Sequence, residues 1–464
     1  MKEICVEDIV RECGGTLLYG SSHLVCGDFE KDDRKIKKGD TFVGIKGENF
    51  DGNTFFEKAL EKGAKVCILQ GEEPAKEKLT KYQDIAIVMV KDTIEAIGKL
   101  AAYKRSLYKI PVVAVTGSVG KTSTKDMIAS VVAQKYKVKK TQGNFNNHIG
   151  LPFTILSLKD EEALVVEMGM NHFGEIRYLT KIAKPTIAVI TNIGTSHIGN
   201  LGSRENILKA KLEILEGLEA KGRIVINEDN DLLHSWHEKN KGKNILSFGI
   251  EEKANLVPYN IQIAAEESQY CIDVEGKTYQ VKVPISGKHF IYNSCAAMAV
   301  GRILSIPMEQ ILQGIATFEL TKKRMETILL NNGSWLINDS YNASLDSMVA
   351  ALSYLKEVPG KRKIAVLGDM LELGEYAETL HREVGKEVVK NKIDILLTVG
   401  TLGKLIADEA EELGMKKDKI LSFENNQEII LYLKEQMQKG DIILLKASNA
   451  MKLSQIAEEL QKED

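Results

Sequence analysis

The order of apolar and polar positions divides the chain into three stretches of different texture. Up to residue 105, short strand-like runs such as Asp40–Ile45 and Ala64–Leu69 flank a helical stretch, Thr54–Lys62, in which Phe55, Ala59 and Leu60 share a face. That combination predicts a small α/β unit. A polar helix carrying Lys104 and Arg105 leads to Pro111, after which a new strand begins. From 106 to 318 strands alternate with helices, the strand candidates being Val112–Val115, Ala163–Val166, Thr186–Thr191 and Arg223–Ile226. Each run is short and lacks alternation, as expected of parallel strands covered on both faces. Around 254–285 the period drops to two, with a Glu275-Gly276-Lys277 turn, which predicts an antiparallel insertion or edge. From 319 to 464, strands at Trp335–Asn338, Lys363–Leu367, Asp394–Val399 and Asp441–Leu445 again alternate with helices. Met348, Leu352 and Leu355 give the first of these helices one apolar stripe. Repetition of this kind means a doubly wound sheet, and the fold class is α/β.

Length supports the same partition, because 464 residues exceed what one hydrophobic core organises. An apolar fraction of 44% and a charged fraction of 27% are ordinary for a globular protein. The net charge of −3 supplies no broad basic surface for nucleic acid or for an anionic membrane, so anions must be held by local sites. Glu3, Glu7 and Asp8 come too early for a secretory signal, and no run of 18 apolar residues occurs. A soluble, cytoplasmic protein with no membrane insertion is expected. The six cysteines form no CxxC pair and have no histidine at zinc spacing, which reads as free thiols in a reducing compartment.

Chemistry concentrates first in Val112-Val113-Ala114-Val115-Thr116-Gly117-Ser118-Val119-Gly120-Lys121-Thr122-Ser123. A β-branched strand runs into a glycine-containing loop and then a helix, from Thr124 to about Gln134. Gly117 and Gly120 allow successive backbone amides to turn inward around phosphate oxygens, and the helix start adds positive potential. Lys121 can reach the outer phosphates and the Thr122 hydroxyl can meet Mg²⁺. Val115 stands where the general phosphate-loop pattern has its first glycine, so this is a shorter TGxxGKTS form. Glu167 ends a neighbouring apolar strand, where a second Mg²⁺ contact is needed; alone it would read as a solvated strand end. His197 follows the strand that ends at Thr191-Asn192, and reads equally as a loop histidine or as a metal or phosphate contact. Lys211 on helical spacing alone reads as a solvated lysine.

Taken together, the TGxxGKTS loop, Glu167-Met168-Gly169, Thr191-Asn192-Ile193-Gly194 with His197, and Ala210-Lys211 resemble the Mur ligases of peptidoglycan synthesis. Gly143-Asn144-Phe145-Asn146-Asn147 with Gly150-Leu151-Pro152, Asn338-Asp339-Ser340-Tyr341-Asn342-Ala343, and Val366 through Gly374 leading to His381 extend the likeness. Asp33-Arg34, Lys38 through Phe42 and Asp51-Gly52 carry it into the first segment. The resemblance implies three domains: a small UDP-substrate-binding domain at 1–105, a central phosphate-loop ATPase domain with a parallel sheet at 106–318, and a Rossmann-like ligase domain at 319–464. It implies an ATP- and Mg²⁺-dependent ligase, acting as a monomer, that joins D-alanyl-D-alanine to UDP-N-acetylmuramoyl-tripeptide through an acyl phosphate. The alternative is a sibling that uses another amine acceptor.

By residue, the resemblance implies catalytic roles for Lys121, Glu167, His197 and Lys211, the last as a carbamate. It implies metal contacts from Thr122, Glu167, His197 and Lys211, and nucleotide contacts from Gly117, Ser118, Val119, Gly120, Lys121, Thr122, Ser123, Asn293, Arg324 and Asp339. Substrate contacts are implied for Asp33, Arg34, Asp51, Asn144, Asn147 and Asn192. The chain departs from the family pattern at Phe290, at Ser344-Leu345 and at Ala447-Ser448-Asn449.

Overall fold

A computed structural model describes residues 3–47, 50–251, 253–264, 266–321 and 323–462. Contacts group the chain into two compact units: residues 1–115, 136–188 and 212–222, and residues 116–135, 189–211 and 223–464.

The first unit opens with five short strands, β1 (Thr16–Tyr19), β2 (Phe29–Glu30), β3 (Thr41–Val43), β4 (Val66–Leu69) and β5 (Ala86–Met89), in the order β1-β5-β4-β3-β2. Only β1 runs antiparallel to its neighbour. Phe42, Cys67, Leu69 and Ile87 bury one face of this sheet against Ala59 and Leu60 of the helix Phe56–Glu61. The expected helical stretch from Thr54 begins instead as a 3₁₀ turn, Gly52–Phe55, because the Asp51 carboxylate accepts from the Asn53 amide at 2.9 Å and tightens the entry. The helix Thr93–Ser106 is capped by Asp92, whose side chain accepts from the Glu95 amide. Its Arg105 is buried rather than solvated, and donates to the carbonyls of Tyr108, Ala183 and Lys184 at 2.6, 2.8 and 3.2 Å. A guanidinium can be buried when carbonyls take its donors in this way.

Four further strands, β6 (Val112–Thr116), β7 (Val138–Lys140), β8 (Ala163–Glu167) and β9 (Ile187–Ile190), follow. β8 runs parallel between β6 and β7, in a register that sets Glu167 opposite Val115. Every residue of β6 and β8 is buried, as the absence of alternation predicts.

In the second unit β10 (Arg223–Asn227) and β11 (Ile245–Phe248) pair in parallel. β12 (Tyr259–Ile263), β13 (Ser268–Val274) and β14 (Lys277–Val283) form the antiparallel insertion. Glu275 and Gly276 join β13 to β14 with φ of 53° and 77°, the two left-handed residues a tight hairpin requires. A six-stranded sheet closes the chain: β15 (Glu326–Leu329), β16 (Trp335–Asn338), β17 (Lys363–Gly368), β18 (Ile395–Val399), β19 (Ile420–Phe423) and β20 (Ile442–Lys446), in the order β15-β16-β20-β17-β18-β19. All pairs are parallel except β15 with β16. Met348, Leu352 and Leu355 of the helix Leu345–Glu357 are fully buried, as their stripe predicts. All six cysteines are free.

Candidate active site

The loop between β6 and the helix Lys121–Val132 depends on two glycines. Gly117 has φ +154°, and a Cβ there would collide with the Thr191 hydroxyl. Gly120, at φ +78°, is the residue on which the helix starts. No side chain caps that helix and no acid lies in its first turn. The amide end of the helix therefore keeps its positive character and faces whatever anion the loop encloses. Lys121 folds back over the loop, its ammonium donating to the carbonyls of Gly117 at 2.9 Å and Ser118 at 3.3 Å. Thr122 is buried, and Thr124 donates to the Asn293 side-chain oxygen at 2.9 Å, which ties Asn293 to the helix.

The segment after β9 holds this loop in place. The Asn192 side-chain oxygen accepts from the amides of Ser118 at 3.0 Å and Val119 at 2.9 Å. Thr191 donates its hydroxyl to the Val119 carbonyl at 2.7 Å, and the Gly194 amide donates to the Ser118 hydroxyl at 2.9 Å. Asn192, expected to meet substrate, has its oxygen committed to the loop. Two of the amides expected to turn toward phosphate are correspondingly engaged with Asn192, and the anion-facing end is the uncapped helix start at Gly120.

Lys211 lies at 1% exposure, contrary to its reading as a solvated lysine. Among the described residues it has no hydrogen bond or ion pair. Burial first, and the charge of Lys121 second, push its amine well below the ordinary lysine range. His197 sits at φ 63°, a left-handed conformation rare outside glycine, and its Nδ1 lies 2.8 Å from the Glu372 carboxylate. In the other unit, Glu167 is buried at the end of β8, and its carboxylate accepts from the Asn146 side-chain amide at 2.7 Å. The Thr141 hydroxyl accepts from the Glu167 backbone amide at 3.1 Å.

Three consecutive stretches match Mur ligase descriptions: residues 32–105 the Mur ligase family catalytic domain, 115–301 the Mur ligase middle domain, and 323–449 the Mur ligase glutamate ligase domain. The chain is 40% identical to the UDP-N-acetylmuramoyl-tripeptide–D-alanyl-D-alanine ligase of Bacillus subtilis strain 168, over 98% of each chain. The chain belongs to the Mur ligase family. A crystal structure of MurF from Acinetobacter baumannii superposes over 100% of both chains with a TM-score of 0.88 at 28% identity. A MurF ligase from Thermotoga maritima in complex with ADP superposes with a TM-score of 0.81 at 30% identity, covering 94% of this chain and 97% of that one.

In this Mur ligase the middle-domain match contains the phosphate loop, Glu167, His197, Lys211 and Asn293. The third match contains Arg324 and Asp339. The Arg324 guanidinium lies 4.0 Å from the centre of the Tyr341 ring, and its Nε is buried with no hydrogen-bond partner among the described residues. Asp339 forms an ion pair with Lys446 and accepts from the Met325 amide. His289, against Phe290 with ring centres 4.2 Å apart, is pushed down to about 4 by burial and is neutral at ordinary pH. His381 is also pushed down by burial; its Nε2 accepts from the Met370 amide while Nδ1 donates to the Ala377 carbonyl, fixing the turn after β17.

The residues expected at substrate in the first unit have structural partners of their own. Arg34 forms an ion pair with Asp32, Asp33 approaches Lys62 at 3.6 Å, and Asp51 caps its 3₁₀ turn. Asn147 accepts from the Gly150 amide at 2.8 Å at the start of the helix Gly150–Leu156, and Asn144 is exposed. The loop, Asn192, His197, Lys211, Asn293, Arg324 and Asp339 all fall within the second unit, whereas Glu167 falls in the first. Asn146, Thr141, Glu372 and Asp346 engage site segments without having been singled out in the sequence. Asn146 and Glu372 lie inside motifs that carry the resemblance, but no local signal distinguishes Thr141 or Asp346.

Proposed function

We propose that the chain joins D-alanyl-D-alanine to UDP-N-acetylmuramoyl-tripeptide, with ATP consumed and ADP and phosphate released, as a MurF-type step of peptidoglycan precursor synthesis. The observation that carries this reading is the end-to-end likeness to the Bacillus subtilis ligase. The terminal carboxylate of the tripeptide attacks the γ-phosphorus of ATP, the bond to the β-phosphate oxygen breaks, and ADP leaves. The free amine of the dipeptide then attacks the acyl carbon, loses a proton, and expels phosphate. Phosphoryl transfer asks for positioning and charge compensation, which the uncapped helix start and Lys121 supply.

Residues 1–105 are assigned to the UDP-linked substrate, with Asp33, Arg34 and Asp51, and residues 106–318 to ATP. Residues 319–464 bring Arg324 to phosphate and Asp339 to ribose, and close over the acyl phosphate so that water does not reach it. Asn144 and Asn147 in the first unit, and Asn192 in the second, are assigned to peptide and phosphates. The donor types suit Mg²⁺: in the second unit Thr122 offers a hydroxyl and His197 an imidazole, and in the first unit Glu167 offers a buried carboxylate. No three acidic, histidine or cysteine side chains cluster as a self-sufficient metal site among the described residues. Charge compensation on the transferring phosphoryl group is the chemistry magnesium would supply there.

Lys211 fits a carbamate. Burial shifts the amine toward its uncharged form, which carries the lone pair with which nitrogen attacks CO₂; loss of a proton then leaves an anionic ligand where an ammonium beside Lys121 would be repelled. No helix among the described residues is long and apolar enough to cross a membrane. The reading puts the enzyme in the cytoplasm, with its ATP, as a monomer. The test is ADP release by the purified protein with UDP-N-acetylmuramoyl-tripeptide, in its lysine and diaminopimelate forms, and a panel of amines. Release that requires D-alanyl-D-alanine is expected; release with a different amine, or with none, overturns the assignment.

A further inference from the structure

Thr195 lies three residues beyond Asn192, on the segment that holds the phosphate loop. Its backbone amide and its hydroxyl both donate to one oxygen of Asp346, at 2.7 and 2.9 Å, across 151 residues of chain. Gly194 beside it has no left-handed backbone that would demand glycine, yet a Cβ there would collide with that same carboxylate oxygen. Glycine at 194 is explained by the approach of Asp346.

An acid in the first turn of a helix often does no more than complement the helix dipole. The helix Leu345–Glu357 is already capped, because Ser344 and Ser347 form a reciprocal capping box. Asp346 spends its oxygen on a different segment. On that segment the Gly194 amide bonds the Ser118 hydroxyl, and the Ile193 carbonyl accepts from Arg204 at 2.8 Å and Asn230 at 3.1 Å. Any force on Asp346 is therefore delivered to the backbone that fixes Ser118 and Val119. A second contact links the chain after β9 to the C-terminal residues, where the Tyr376 hydroxyl donates to the Gly202 carbonyl at 2.7 Å.

We infer that Asp346 is a positioning residue, which ties the first helix of the C-terminal domain to the backbone carrying the phosphate loop so that seating this domain and ordering the loop are one event. Its consequence for rate rests on the proposed ligation. Its consequence for the loop does not.

The test compares wild type, Asp346→Ala, Thr195→Val and the double variant, by steady-state kinetics and by amide hydrogen exchange. In Asp346→Ala, loss of two hydrogen bonds to a charged acceptor is expected to lower kcat by about ten- to a hundred-fold. The KM for the UDP-linked tripeptide should stay within about two-fold, since that substrate is assigned elsewhere. Exchange should accelerate at Ser118 and Val119 as well as in 191–197. A purely structural defect of the helix would accelerate only 345–357. Thr195→Val, which keeps the backbone donor and disturbs no helix cap, should show the same pattern more weakly, and the double variant should be no worse than Asp346→Ala. Unchanged exchange at Ser118 and Val119 in both single variants, or additive losses in the double variant, overturns the inference. Should wild type show no dipeptide-dependent ADP release, the ligase reading fails, while the exchange experiment still decides the coupling.

Discussion

Replacing Asn192 with alanine removes the acceptor shared by the Ser118 and Val119 amides, at 3.0 and 2.9 Å. Ser118 keeps one alternative, because its amide also reaches the Asn192 backbone carbonyl at 3.1 Å; the Val119 amide has no second acceptor among the described residues. A neutral hydrogen bond is worth about 1 kcal/mol net, so the loop loses about 1–2 kcal/mol of the free energy that holds its nucleotide-binding shape. At about 1.4 kcal/mol per ten-fold, ATP affinity should fall about five- to thirty-fold. The fall should appear in binding of a fluorescent ATP analogue and in KM for ATP, with affinity for the UDP-linked substrate unaltered. Asn192→Asp separates geometry from charge: it retains an acceptor for both amides but sets an anion beside the triphosphate. It should bind ATP at least as poorly as the alanine variant, and better as salt rises and screens the repulsion. An alanine variant that binds ATP within two-fold of wild type would refute the idea that Asn192 shapes the loop.

Three further outcomes are expected. Lys211→Met should abolish turnover yet, in CO₂-free buffer where the wild-type amine is unmodified, raise the thermal midpoint at neutral pH: the folded lysine binds fewer protons than the unfolded one, so wild-type stability rises with pH up to the ordinary lysine range and the variant's advantage shrinks there. Melting curves from pH 7 to 10 check it, and a variant less stable than wild type at pH 7 contradicts it. His289 has its folded value depressed to about 4, so stability should be present above the ordinary histidine value and be lost as pH falls toward 4, by up to about 3 kcal/mol. His289→Gln should flatten that arm of the urea midpoint against pH. Gly117→Ala, whose methyl would strike the Thr191 hydroxyl, should lose most ATP binding, and Thr191→Ala in the same chain should restore part of it; no restoration would mean that backbone strain at φ +154°, rather than the collision, is responsible.

Central strands were legible because burial on both faces leaves a direct trace in composition. Val112–Val115 and Ala163–Val166 read as parallel strands and are entirely buried. The edges of the C-terminal sheet were not legible. β15 reads Glu-Thr-Ile-Leu with Leu329 well exposed, and β19 follows three lysines within four residues, so neither carries a continuous apolar run. An edge strand is specified by the neighbour it pairs with, and that neighbour lies elsewhere in the chain.

The site divides along the same line. Gly117 and Gly120 announce themselves, because a tight phosphate-type loop needs backbone conformations and close approaches that side chains obstruct. Lys211 does not: Lys209-Ala210-Lys211-Leu212 reads as a solvated helix, and only the tertiary packing buries one lysine and leaves its neighbour Lys209 less covered. What makes Lys211 chemically distinct is depressed basicity, which comes from low dielectric and from the charge of Lys121, ninety positions earlier in number but near in space. Asn192 was visible as a polar residue at a strand end, yet its partners are loop amides, and amides leave no mark in sequence. Chemistry set by covalent type and spacing can be read directly, whereas chemistry set by desolvation and by backbone partners needs coordinates. The coupling through Asp346 is of the second kind: its glycine at 194 is the one trace it leaves, and that trace becomes intelligible only once the carboxylate is seen against it.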